Sequence, residues 1–209
     1  YGNIVHTGDL KLDHNDGVPT EAEVDAFEPL STGNNLMLLA DSTNVERPGF
    51  SIPEKVVFKN IEKIIREIDG RLIVATFSSL LERLIKVIEV SEKLGKKIVV
   101  DGRSMKNNIE IAKLAGMLVV QKDTMIPIEQ MDNYPPDRII VLATGAQGDE
   151  FASLMRAANK THKYLKINKR DTVLLSSSII PGNERNVQKL KDNLSSQGAK
   201  IIHYMTSDV

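Results

Sequence analysis

From about residue 51 onward, short runs of aliphatic and β-branched residues alternate regularly with longer amphipathic stretches. The runs at 71–76, 97–101, 138–143 and 172–175 have the length and composition of strands that are buried on both faces of a parallel sheet. The stretches between them repeat apolar residues at helical spacing. Strands that alternate with helices in this way predict an α/β fold, a doubly wound and mainly parallel sheet flanked by helices.

Glycines, prolines and apolar periodicity place the individual elements along the chain. Gly70 and Gly95 each stop a helix, and Pro53 suits the first turn of another. Helices are predicted over residues 53–69, 80–94, 104–115, 149–158 and 183–195. Strands are predicted over residues 71–76, 97–101, 117–120, 138–143, 172–175 and 199–204.

Residues 1–50 do not show this alternation of strands and helices. We therefore predict a separate domain with its boundary between residues 50 and 51. They hold two short runs, at 5–9 and 39–44, that each read as a strand ending on a carboxylate, with a polar loop at 13–33 between them. A carboxylate at the tip of a buried strand commonly presents an oxygen ligand, or a base, to a metal-activated water. The four histidines include no H-x-H pair and the chain has no cysteine, so most of such a metal site is missing from these residues.

Composition limits the cellular location and the kinds of ligand that we expect for the chain. With no cysteine among 209 residues, disulfides and thiolate metal sites are excluded, and a reducing cytoplasm is the expected location. The apolar runs are far too short to span a bilayer, so no membrane association is expected. Residues 1–50 carry 2 basic and 9 acidic side chains, and residues 156–200 carry 10 basic and 3 acidic ones. The acidic end suits divalent cations and the basic end suits phosphate, although ordinary surface solvation explains the same charges.

Four of the predicted strands lead into loops rich in serine, glycine or arginine, and in an open parallel sheet ligands bind outside these carboxyl ends. The loops are Thr76–Ser79, Asp101–Ser104, Thr144–Asp149, and Ser176–Ser178 with Pro181–Asn183. Hydroxyls, amides exposed by glycine and an arginine just before a helix all suit an anion. Any one loop is explained more simply as a helix cap, but four loops on one edge favour phosphate. Neither the dinucleotide-binding nor the P-loop glycine pattern is present, so those sites are not supported.

A set of short strings identifies a family more specifically than any one of them could. The strings are VHTGD at 5–9, LADSTN at 39–44, PGF at 48–50, ATFSS at 75–79, GRSM at 102–105, TGAQG at 144–148, DTV at 171–173, SSS at 176–178 and IPGNE at 180–184. Taken together, and in this order, they resemble ribonuclease J, of the β-CASP branch of the metallo-β-lactamase superfamily. The resemblance covers essentially the whole chain.

The resemblance implies a nuclease that hydrolyses RNA with two zinc ions, as a 5′-exonuclease and as an endonuclease. It makes Asp9 a metal ligand, the aspartate that bridges the two ions, and it makes Asp41 a catalytic acid that supports the metal shell or proton transfer. The remaining zinc ligands are expected before Tyr1 and after Val209. The chain is therefore expected to be an inactive fragment, with residues 1–50 as a partial metallo-β-lactamase domain and residues 51–209 as the β-CASP domain.

The strand-end loops are expected to line an RNA channel. The residues expected to contact RNA phosphate are Ser78, Ser79, Arg103, Ser104, Gly145, Gln147, Gly148 and Ser177. Arg103 is the strongest candidate, because a guanidinium grips a phosphate through two parallel hydrogen bonds. The alternative is that Arg103 pairs with a nearby carboxylate and only ties two loops together.

Other functions stay open at this point. The resemblance places Ala146 where relatives carry serine, which would remove a possible phosphate donor, and it places Glu82 near a position where a histidine is common. Both departures leave room for a non-catalytic RNA-binding or scaffold paralogue. A third reading, a doubly wound domain that binds a small molecule, is disfavoured by the missing nucleotide motif. Homodimers and homotetramers are both common in the family, and the sequence does not choose an oligomeric state.

Overall fold

The computed structural model describes residues 1–46 and 48–209 of the chain, apart from the side chain of Met205. The chain divides into two compact units, Tyr1–Val57 and Phe58–Val209. The predicted boundary between residues 50 and 51 lies shortly before this division, and the assignment of the two parts to a lactamase and a β-CASP domain stays a prediction. In the described part of the chain, no helix is long and apolar enough to cross a membrane.

The elements have the following bounds. The helices are α1 (Glu21–Ser31), α2 (Glu54–Glu67), α3 (Leu81–Lys93), α4 (Arg103–Leu114), α5 (Ser153–Ala158), α6 (Glu184–Ser196) and α7 (Tyr204–Ser207). The strands are β1 (Asn3–His6), β2 (His14–Asn15), β3 (Val18–Pro19), β4 (Asn35–Leu39), β5 (Leu72–Ala75), β6 (Lys97–Asp101), β7 (Ile139–Ala143), β8 (Thr172–Leu175) and β9 (Lys200–His203). Two short 3₁₀ helices, Ile128–Asn133 and Pro136–Arg138, precede β7.

The second unit is built on a five-stranded sheet in the order β6-β7-β5-β8-β9. Every pair of neighbouring strands in it is parallel. Each residue of β5, β7 and β8 is buried, as expected for central strands of a parallel sheet that is covered by helices on both faces. The predicted α/β fold with a doubly wound parallel sheet is confirmed.

Apolar side chains from neighbouring strands and from the covering helices form the core of this unit. Ile73, Val141 and Val173 of the sheet pack in one buried cluster with Leu154 of α5 and Leu190 of α6. Helices α3 and α4 contact β6 and each other. Full burial of each such aliphatic side chain stabilises the fold by about 1.5–3 kcal/mol, so the packed sheet is the rigid base on which the strand-end loops sit.

The strand predicted over residues 117–120 is not formed. Met117 and Val119 are 56% and 85% exposed, and the amides of Met117 and Leu118 donate to the carbonyl of Ala112 at the end of α4. The run therefore closes a helix rather than joining the sheet, and a short apolar run alone cannot distinguish these two uses. Further along the chain, Met125 forms an isolated parallel bridge with Ile98 of β6.

One predicted helix start and one predicted loop were also wrong. The helix predicted from residue 149 begins only at Ser153. The segment 13–33, predicted as a polar loop, contains the antiparallel pair β2–β3 and helix α1. Thr20 caps α1 by accepting a hydrogen bond from the amide of Glu23. The helix was missed because its segment is rich in acidic residues and has Pro29 within the helix, which is typical of a loop.

The first unit contains a two-stranded parallel sheet made of β1 and β4, in which Val5 pairs with Leu38 and His6 with Leu39. Both strands begin and end earlier than predicted, so the two carboxylates follow the strands instead of ending them. Every residue of β4 is exposed, which contradicts the expectation of buried strands for the residues that the structure describes.

Candidate nucleic-acid interface

The four predicted strand-end loops lie at one edge of the parallel sheet. The register pairs Ala75 with both Ala143 and Leu175, and it pairs Asp101 with Ala143, so these strands finish at the same level. We call the loops that follow them, residues 76–80, 101–104, 144–152 and 176–183, the strand-end rim. The prediction that the loops share the carboxyl edge is therefore confirmed, and this edge is where open parallel sheets bind ligands.

The serines of the strand-end rim do not act as helix caps. Helices α3, α4, α5 and α6 all begin without a side-chain cap hydrogen bond. Ser79, Arg103 and Ser104 are exposed and Ser78 is half-buried, and none of the four side chains hydrogen-bonds to another described residue. The alternative that Arg103 pairs with a carboxylate is likewise not seen among the described residues. These four side chains are thus available to an anion, and their contact with phosphate stays a prediction.

Gln147 and Ser177 are both buried, unlike the four side chains above. Every donor and acceptor of the Gln147 amide forms a hydrogen bond within the protein. Its Nε2 donates to the carbonyl of Ser178 at 2.8 Å and to Oγ of Ser177 at 3.4 Å. Its Oε1 accepts from the amide of Ile180 at 2.9 Å. Since β5 lies between β7 and β8 in the sheet, Gln147 joins two loops across the end of the central strand. The geometry favours a loop-joining role for this side chain over the predicted phosphate contact.

Gly145 and Gly148 are required by packing as well as by turn geometry. A Cβ on Gly148, whose φ is +75°, would lie 2.5 Å from the backbone carbonyl of Asn186 on α6, and a Cβ on Gly145 would lie 2.6 Å from Cβ of Ala152. The amide of Gly148 donates to the carbonyl of Gly145 at 3.1 Å. Both glycines are buried, so neither presents a free amide to solvent in this conformation.

Ala146 does not face the open rim. It is buried and belongs to the hydrophobic cluster formed with α5 and α6. A serine hydroxyl at this position would enter that cluster, so the structure does not support the interpretation that Ala146 removes a phosphate donor from an exposed surface.

Arg83 is a buried cation that was not among the predicted site residues. Its guanidinium donates to the carbonyl of Ser176 at 2.7 Å and to Oγ of Ser176 at 3.2 Å, and Thr76 Oγ1 donates to the same carbonyl at 2.8 Å. Arg83 thereby links α3 to Ser176, the residue that follows β8. The available signal was its position four residues before Val87, on the inward face of α3.

Asp41 organises the backbone beside Asp9 in the first unit. Its Oδ1 accepts from the hydroxyl and the amide of Thr43 at 2.6 and 2.9 Å, and its Oδ2 accepts from the amide of Leu10 at 3.3 Å. The Thr43 hydroxyl is the largest cause of an Asp41 pKa below the ordinary value, because hydrogen bonds to a carboxylate favour its charged form. Asp41 holds the residue next to Asp9, and its catalytic role stays a prediction.

The described residues do not form a zinc site by themselves. No group of three or more histidine or acidic side chains in residues 1–46 and 48–209 converges as a metal site would require. Asp9 is exposed, and two carboxylates cannot complete the tetrahedral shell that zinc prefers. Any zinc ion bound near Asp9 would therefore need further ligands from outside this set.

Gln147→Ala is expected to lower the free energy of unfolding by about 1–3 kcal/mol, because it leaves the buried Ser177 hydroxyl and the partly buried backbone groups of Ser178 and Ile180 without their partner. It should also speed hydrogen exchange of the Ile180 amide, which donates to Gln147. Urea denaturation and amide exchange measure both effects. Gln188, an exposed glutamine on α6 that pairs with Asp192, is the matched control, and Gln188→Ala should change stability by less than about 0.5 kcal/mol. Equal losses in the two variants would argue against a loop-joining role.

Comparison with known proteins identifies relatives for nearly the whole chain. A family model of the β-CASP domain of ribonuclease J matches residues 69–194. The chain is similar to ribonuclease J 1 of Streptococcus pyogenes, with 39% identity over 208 residues that cover 100% of the chain and 37% of the relative. Ribonuclease J of Thermus thermophilus is 38% identical over 211 residues, which cover 100% of the chain and 36% of the relative. Ribonuclease J of Mycolicibacterium smegmatis is 37% identical over 203 residues, which cover 96% of the chain and 36% of the relative. The chain thus spans just over a third of the length of these relatives.

Proposed function

This chain belongs to the ribonuclease J family. We propose that it supplies the RNA-binding surface of a ribonuclease. The observation that carries the proposal is the strand-end rim, where Arg103 and the hydroxyls of Ser78, Ser79 and Ser104 have no partner among the described residues. They lie at the carboxyl edge of a parallel sheet, which is the edge where such folds bind ligands.

The rim suits the RNA backbone better than the bases. A guanidinium and several hydroxyls are donors that match phosphate oxygens. Aromatic residues make up only 4% of the chain and include no tryptophan, so few side chains could stack on bases. Binding should therefore depend strongly on salt and little on sequence.

For the whole protein we propose the hydrolysis of RNA phosphodiesters with two zinc ions, as a 5′-exonuclease and an endonuclease, assembled as a homodimer or homotetramer. Asp9 would be the metal ligand contributed by this chain, with Asp41 holding the backbone beside it. The described residues do not complete a zinc shell, so the chain by itself is proposed to be inactive. A cytoplasmic location is part of the proposal, because a chain without cysteine suits a reducing compartment.

Arg103→Ala in the full-length protein is expected to weaken binding of single-stranded RNA and to reduce the slope of log affinity against log salt by about 1, the change for one lost phosphate contact. Fluorescence anisotropy with a labelled RNA over a range of salt concentrations measures both. Lys113→Ala is the matched control, since Lys113 lies at the other end of α4 and pairs with Glu110.

An unchanged salt slope together with a lower melting temperature for Arg103→Ala would assign the residue to structure and remove the main support for the proposal. The non-catalytic alternative has a separate test. If the full-length protein binds RNA normally but does not cleave it in the presence of zinc, the chain belongs to a scaffold paralogue.

A further inference from the structure

Three buried polar side chains meet at the end of β6, two residues before Arg103. Asp101 ends β6, Ser153 begins α5, and His162 lies in the connection between α5 and β8. They are 8%, 1% and 3% exposed, respectively. The hydroxyl of Ser153 donates to Oδ2 of Asp101, and Nε2 of His162 lies 2.7 Å from the same oxygen. One carboxylate therefore connects three segments that are distant in the sequence.

The protein backbone fixes the tautomer of His162. Its Nδ1 accepts hydrogen bonds from the amides of Tyr164 at 3.2 Å and Leu165 at 2.9 Å, so Nδ1 must carry a lone pair and the proton belongs on Nε2. The Asp101 oxygen lies close to Nε2 but away from the axis of its N–H bond, so the contact is more electrostatic than a directed hydrogen bond.

The arrangement is not that of a nucleophilic triad. In such a triad the serine hydroxyl is hydrogen-bonded to the imidazole, whereas here the hydroxyl of Ser153 is bonded to the carboxylate. All three groups are also buried, so a substrate could not reach the serine. The three groups therefore act within the protein interior and not on a substrate.

The residues next to Asp101 leave little room for adjustment. The amide of Thr144 donates to the backbone carbonyl of Asp101 at 3.2 Å. A Cβ on Gly102, whose φ is +116°, would lie 2.5 Å from the Thr144 side chain. The backbone of Asp101 and Gly102 is therefore held closely against Thr144, and Arg103 follows Gly102 as the first residue of α4.

We propose that Asp101 and His162 are positioning residues that hold Arg103 at the strand-end rim for contact with an RNA phosphate. The inference rests on the proposed function, because it needs Arg103 to bind RNA. A buried carboxylate keeps one geometry only while its partners satisfy it. Ser153 and His162 supply those partners, and the two backbone amides at Nδ1 keep the imidazole in place.

The first test is Asp101→Asn in the full-length protein, a change that keeps the shape of the side chain and removes its charge. RNA affinity is expected to fall about tenfold, the loss for one charge-assisted hydrogen bond, and the salt slope should fall by about 1. In an Arg103→Ala background, Asp101→Asn should cause no further loss of affinity, because both changes remove the same contact.

Two substitutions of His162 separate positioning from folding and serve where Asp101→Asn is too unstable to assay. Asparagine places an oxygen near the position of Nδ1 and so keeps the backbone contacts, but it cannot reach Asp101. Glutamine places an amide nitrogen near Nε2 and keeps the contact with Asp101. His162→Asn should therefore reproduce the loss of RNA affinity, whereas His162→Gln should keep the affinity and lose mainly stability.

Asp171→Asn is the matched control. Asp171 is another buried aspartate, and it lies directly before β8, at the amino ends of the parallel strands. It should reduce stability without changing RNA affinity under conditions in which the protein is folded. Independent, additive losses for Asp101→Asn and Arg103→Ala would overturn the inference and leave the proposed function standing, as would Asp101→Asn or His162→Asn with unchanged affinity. No effect of Arg103→Ala would overturn both.

Discussion

Asp171→Ala is expected to lower the free energy of unfolding by about 3–5 kcal/mol, as for other buried ion pairs from which one partner is removed. Arg71 and Asp171 are both buried, and they form two parallel hydrogen bonds, Nε to Oδ1 at 3.0 Å and NH2 to Oδ2 at 2.6 Å. The amide of Asn168 also donates to Asp171 at 2.8 Å. The substitution would leave a guanidinium without its counter-charge inside the protein.

Urea denaturation followed by circular dichroism measures this loss, provided that the transition is two-state. The control is Glu110→Ala, which breaks an exposed ion pair with Lys113 on the surface of α4 and should cost less than about 0.5 kcal/mol. A loss below about 1 kcal/mol for Asp171→Ala would show that Arg71 reaches water when its partner is removed.

Gly148→Ala is expected to lower the free energy of unfolding by about 2–5 kcal/mol through two separate effects. A side chain at a left-handed φ, here +75°, is disfavoured by about 1–2 kcal/mol. The new Cβ would also lie 2.5 Å from backbone atoms of Asn186, and backbone in the first turns of α6 cannot rotate away as a flexible side chain could. Overpacking of this kind costs about 1–3 kcal/mol.

Gly182→Ala separates these two effects. Gly182 has a φ of +97°, but a Cβ there would meet nothing within 4 Å, so only the conformational cost of about 1–2 kcal/mol applies. The difference between the two variants measures the packing against Asn186. Equal losses would show that the loop containing Gly148 moves away from α6 without penalty.

Most elements of the second unit followed from local sequence pattern. The predicted bounds of β6 and β8 agree with the observed Lys97–Asp101 and Thr172–Leu175, because strands buried on both faces are continuous apolar runs and need no knowledge of their neighbours. Helices α2, α3 and α6 were predicted within a few residues from their apolar periodicity. Helix α1 was not predicted, because its acidic segment has Pro29 within the helix and so resembles a loop.

The candidate site was predictable only as a set of loops. Parallel strands share one carboxyl edge, so the strand-end rim could be inferred before its geometry was known. Which side chains are free within it depends on contacts between loops. Gln147 is used to join two of them, and Ala146 is packed in the core, although both lie in the same predicted loop as the two glycines.

The sequence by itself determined the fold class, the family and the edge of the sheet that carries the loops, because each of these is encoded in neighbouring residues or short strings. Only the tertiary structure decided the strand order β6-β7-β5-β8-β9 and the long-range contacts that depend on it. Arg83 with Ser176, and Asp101 with His162, meet because the fold brings together segments that are far apart in the chain. Local periodicity contains no information about which buried polar groups will meet, since that depends on the packing of the whole sheet.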